Sequence, residues 1–92
     1  MCKEPEKVKI NVEIYGHKYT VVGKENPEHI RRVANIVDYK MHELKDRNPF
    51  LDLQKLAVLT AVNLADEACK LENKIKQLEK QLKEIEEENK ND

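Results

Sequence analysis

Three histidines, two cysteines and eighteen carboxylates are the groups with which this 92-residue chain could do acid–base, nucleophilic or metal chemistry. Each chemistry needs its own arrangement: a nucleophile beside a base, two carboxylates facing one cleft, or ligands at metal spacing. His17, His29 and His42 are spread over a turn, a helix start and a polar helix face, so each reads as solvated. Cys2 and Cys69 have no CxxC partner and no companion histidine, which argues against both a zinc site and a disulfide framework. Cys69 follows Ala68 in a helical pattern and reads as a partly buried small hydrophobe. The acidic stretch Glu84–Glu88 reads as a solvated face, and no GxGxxG, GKS/T, HExxH or GxSxG motif occurs. The chain is also short for enclosing a substrate pocket. The expectation is a protein with no catalytic residues, no cofactor and no metal, which acts by contact.

Contact surfaces have to be held by elements, and the composition says which kind. Charged residues make up 38% of the chain and aromatics 4%, with two Gly and no Trp, a profile of long helices. The net charge of −1 gives no global attraction to nucleic acid or an anionic membrane. Residues 1–49 carry a net +2 and residues 50–92 a net −3, a mild asymmetry. The start, MCKEPEKVK, lacks the apolar core of a signal peptide, and Cys2 lacks the leader of a lipoprotein. No run approaches the 18 or so apolar residues of a membrane span, so no membrane insertion and a cytoplasmic location are expected.

Residues 1–7, with Pro5, read as a disordered tail. From Val8 the pattern alternates: Val8, Ile10, Val12 and Ile14 are apolar, with Lys9, Asn11 and Glu13 between them. Period two with β-branched residues marks a half-buried strand. A return strand, Lys18–Val22, follows Gly16-His17, a pair that suits a two-residue type II′ turn. That turn sets Ile14 opposite Tyr19 and Val12 opposite Val21, with the apolar residues on one face. Asn26 and Pro27 then form a helix start, as N-cap and first helical residue. Ile30, Val33, Ala34, Val37, Met41 and Leu44 make an apolar stripe, and Asn48-Pro49 ends the helix.

Asp52 is the expected N-cap of a second helix, which runs without Gly or Pro over 53–89 and spans roughly 54 Å at about 1.5 Å per residue. Up to Ala68 its apolar residues cover more than half the circumference, so that part is expected to complete the head's core. Beyond it they narrow to a seam. Ala61, Leu64, Ala68, Leu71, Ile75, Leu78, Leu82 and Ile85 step by three and four, the a/d repeat of a coiled coil. At roughly 1.5–3 kcal/mol per buried Leu or Ile, leaving the seam in water forfeits most of the stability available to so small a domain. The seam is expected to meet another copy. Parallel pairing sets Lys74 against Glu79 but also Glu67 against Glu72, whereas antiparallel pairing sets only glutamates at the e positions against each other, so the charges lean slightly to a parallel coil.

The fold class is therefore α+β: a β-hairpin and helix head (8–52, completed by 53–68), then a long C-terminal helix forming an intermolecular coiled coil. Arg31, Arg32, Lys45 and Arg47 decorate the first helix, which leaves a nucleic-acid-binding or generic adaptor role as the alternative. Interleaved Glu28, Asp38, Glu43 and Asp46 spoil a phosphate-binding stripe.

Taken together these pieces resemble the ZapA family of bacterial cell-division proteins, which bind the tubulin-like protein FtsZ. The resemblance runs from Val8 to about Glu86. It rests on the strand and turn Val12-Glu13-Ile14-Tyr15-Gly16, the stripe through Arg32-Val33-Ala34-Asn35, and the segment from Lys55 to Glu67, KLAVLTAVNLADE. It implies a dimer that associates further through the coil into a tetramer with heads at both ends, and hence an antiparallel component to the coil. Such a bivalent molecule would cross-link FtsZ protofilaments in the division ring at mid-cell. It also implies a partner-binding surface of charged head residues, matched here by His17, Lys18, Arg31, Arg32, Lys45 and Arg47. His17 and Thr20 stand where the family carries arginine at the turn, which shifts the weight to Lys45 and Arg47.

Overall fold

The computed structural model describes residues 7–90. The expected tail, apart from Lys7, and Cys2 lie outside the described residues. Four elements follow one another: β1 (Val8–Ile14), β2 (His17–Gly23), α1 (Pro27–Arg47) and α2 (Leu53–Lys90). The α+β order of the sequence reading holds, with a two-stranded antiparallel sheet preceding two helices.

The hairpin turns one residue earlier than its sequence suggested. Tyr15 and Gly16 occupy the turn, both at positive φ (51° and 76°), which makes it type I′ rather than II′. The register accordingly sets Ile14 opposite His17, Val12 opposite Tyr19 and Ile10 opposite Val21. Each partner has moved by two positions, so every side chain keeps its face and the apolar side of the sheet is preserved. A tyrosine is a poor choice for a left-handed residue, and it is held there from outside the hairpin. Its backbone N–H donates to Asp38 Oδ1 of α1 at 2.7 Å, and its ring lies 4.8 Å from that of His42.

Both helices start as their caps dictate. The Asn26 side chain accepts from the Glu28 N–H at 2.8 Å ahead of Pro27, and Asp52 Oδ1 accepts from the Lys55 N–H at 2.9 Å. α1 lays its apolar stripe against β1, where Ile10 and Val12 bury against Ile30 and Ala34. A second cluster joins Met41 and Leu44 to Leu56 of α2, itself 1% exposed, with Val37, Leu51 and Leu59 packed alongside.

The chain divides into two compact units, one ending at Thr60 and the other beginning at Ala61. In the first, α2 contributes Leu56 and Thr60 as buried residues, and the Thr60 hydroxyl donates to the Leu56 carbonyl at 2.8 Å. The second unit is helix alone, and none of its described residues is buried.

Candidate partner-binding and oligomer surfaces

Groups able to do chemistry stand apart from one another. His17 opens β2 and, with Ile14, Tyr19, Val37, Met41 and Leu53 among others, lines an open apolar cleft of about 250 Å³. His29 is exposed in the first turn of α1. The His42 Nδ1 lies 2.8 Å from the Asp38 carbonyl and 3.6 Å from that residue's carboxylate. Asp38 and His42 thus serve the Tyr15 turn, an arrangement that no local sequence signal announces. Cys69 is exposed on α2. Among the described residues no group of three or more His, Cys, Asp or Glu is placed to hold a metal.

The six basic candidates fall into two groups and one outlier. Lys18 stands opposite Glu13 in the β ladder, and Arg31 lines a cleft whose walls include Asn11, Val12 and the same Glu13. His17 is exposed at the β2 end of the turn. At the far end of α1, Arg47 Nη2 lies 3.3 Å from Glu43 Oε1 in an exposed i,i+4 pair. Lys45, two residues earlier, is half-buried and donates from Nζ to the Leu51 carbonyl at 2.6 Å, tying α1 to the loop before α2. Arg32, the residue after Arg31, is exposed on α1 and outside the lining of that cleft.

Along α2 the seam is bare within one chain. Leu71, Ile75, Leu78, Leu82 and Ile85 are each between 50% and 65% exposed; Ala61 and Ala68 are exposed and Leu64 half-buried. The flanks of the helix are polar, with ion pairs Asp66–Lys70 (2.8 Å) and Glu72–Lys76 (3.5 Å), acid N-terminal to base in each. The hydrogen bond to Asp66 raises the Lys70 pKa above its ordinary value. A polar helix with one apolar seam is built to be covered by another helix. Sequence periodicity found the seam but missed three exposed apolar residues of the head: Ile36, Tyr39 and Phe50.

A hairpin clamped on one helix, followed by a long helix with a bare heptad seam, is also what comparison with known proteins finds. The family model "Cell division protein ZapA" matches residues 10–91. This chain belongs to the ZapA family of cell-division proteins. Among curated ZapA proteins, that of Geobacillus thermodenitrificans is 56% identical over 78 residues, covering 85% of each chain. That of Bacillus subtilis is 53% identical over 75 residues, covering 82% of this chain and 88% of its own. A solved structure, a ZapA mutant dimer from Geobacillus stearothermophilus, superposes with a TM-score of 0.71 at 51% identity, covering 90% of this chain and 96% of that one. ZapA is a cell-division family and not a known enzyme family. No described helix is long and apolar enough to cross a membrane.

Proposed function

We propose that this ZapA-family chain is a non-enzymatic cross-linker of FtsZ: its heads grip FtsZ polymers and its α2 seam joins heads into a bivalent oligomer. The bare seam carries the reading, since five large apolar side chains at heptad spacing stand half or more exposed in one chain. Burying a Leu or Ile yields roughly 1.5–3 kcal/mol, so copies of the chain associate through it. The solved relative described as a dimer is consistent with that. Two such dimers docked through their coils would carry heads at both ends, the geometry needed to align neighbouring protofilaments at a mid-cell division ring in the cytoplasm.

The head's contribution is its basic surface: His17 and Lys18 by the turn, Arg31 and Arg32 on α1, and Arg47 at the end of α1, with Lys45 holding the adjoining loop. The test is co-sedimentation with assembled FtsZ, read beside electron microscopy. The chain is expected to pellet with the polymers and to gather them into bundles. A protein that stays in the supernatant at every ratio overturns the reading. Reversing Arg31, Arg32 and Arg47 to Glu together should cut co-sedimentation at least tenfold while the oligomer mass is unchanged.

A further inference from the structure

Phe50 is fully exposed (101%), the most exposed large apolar residue among the described residues, and it sits in the five-residue loop Asn48-Pro49-Phe50-Leu51-Asp52. Single exposed apolar residues are common and need no explanation. This one differs because the loop that displays it is strapped on every side. The Asn48 N–H donates to the Leu44 carbonyl at 2.9 Å, and the Asn48 side-chain amide donates to that same carbonyl at 3.0 Å. The Leu51 N–H donates back to the Asn48 carbonyl at 3.1 Å, closing a turn around Pro49 and Phe50. Lys45 Nζ holds the Leu51 carbonyl from α1, and Asp52 is fixed as the cap of α2. Leu51 itself packs beside the core.

A rigid loop presenting an aromatic ring has already lost the freedom that binding would otherwise remove, which is how a few side chains come to dominate an interface. Phe50 shares a shallow cleft of about 350 Å³ with Arg47, Asn48, Pro49 and Leu51, and Arg47 is the only charged residue in its lining. Its exposed guanidinium pairs with the half-buried Glu43 in a weak i,i+4 contact, which a competing carboxylate can replace.

Resting on the reading that the head grips a polymer, we propose that Phe50 and Arg47 form the anchor of that contact. The occupant is a segment of the FtsZ polymer carrying an apolar side chain beside a carboxylate. The apolar group covers the Phe50 ring and the carboxylate accepts two of the guanidinium N–H bonds of Arg47 in a bidentate pair. Lys45 is a positioning residue on this account: it holds the loop through Leu51 and does not touch the partner.

The test uses the full chain and assembled FtsZ. Phe50→Ala should raise the half-saturating concentration in co-sedimentation at least tenfold, Phe50→Tyr should restore most of the binding, and Lys45→Met should weaken it by a smaller factor. Oligomer mass by sedimentation equilibrium should be the same for all. If the unaltered chain binds and Phe50→Ala binds equally well, the anchor is overturned while the cross-linker reading stands. If Phe50→Ala lowers the oligomer mass, the ring packs against a second copy, which also overturns it. If the unaltered chain does not bind, the parent reading fails instead.

Discussion

A tyrosine at φ 51° followed by a glycine at φ 76° is a turn its own residues would not hold, because the left-handed region costs a residue with a side chain about 1–2 kcal/mol. The compensation comes from 23 residues away, where Asp38 accepts the Tyr15 N–H at 2.7 Å in partly buried surroundings. Hydrogen bonds to a charged group are worth about 1.5–3 kcal/mol. Asp38→Ala should therefore lower the stability of the head by about that amount, while Asp38→Asn, which keeps an oxygen acceptor, should lose less. Urea unfolding followed by circular dichroism measures both, and an Asp38→Ala midpoint equal to that of the unaltered chain would rule the clamp out. The same contact explains why the turn was misplaced in the sequence. Gly16-His17 carries the local II′ signal, and nothing within the hairpin says that a distant aspartate has been aimed at the amide of Tyr15. Lys45 shows the same limit, since its position marks it as a cation of the polar helix face and only the loop's path reveals the Leu51 carbonyl it holds.

Helices were far easier to read than the turn, because what starts and stops them is local. Asn26-Pro27 and Asp52 lie within three residues of the amides they cap, and Asn48 ends α1 immediately before Pro49. Losing a cap of this type costs about 0.5–2 kcal/mol. Asp52→Ala should fall in that range and Asp52→Ser should recover most of it, measured at one fixed protein concentration so that association does not enter. A destabilisation well above 2 kcal/mol would mean that Asp52 also supports the loop itself, whose Leu51 packs beside Met41, Leu44 and Leu56. Periodicity likewise located the buried face of α1, except for Val33, which is 45% exposed, but overlooked Ile36 and Tyr39. They fall outside the apolar stripe and remain exposed, at 48% and 70%. A pattern rule reports which side of a helix meets its own core and is silent about apolar residues turned outward.

At the scale of the molecule, one chain leaves too much apolar surface uncovered to be the working unit. The head's core is two small clusters, while Val58 and Val62 of α2 and the whole seam from Leu71 to Ile85 face outward. A polar helix with one bare apolar seam is marginal in isolation, so the helix beyond Ala61 draws its stability from association. Ile75→Glu places a carboxylate in the middle of the seam, where covering it would require desolvating an unpaired charge. The variant should sediment as a smaller species and lose helical circular dichroism, and its melting temperature should no longer rise with protein concentration as mass action requires of an oligomer. Because Ile75 belongs to the second unit and Phe50 and Arg47 to the first, on the cross-linker reading each head should still bind FtsZ polymers while bundles disappear from micrographs. Binding and bundling are then separable, the first belonging to the head and the second to the seam. An Ile75→Glu protein of unchanged mass that still bundles polymers would show that the heads alone hold the assembly together.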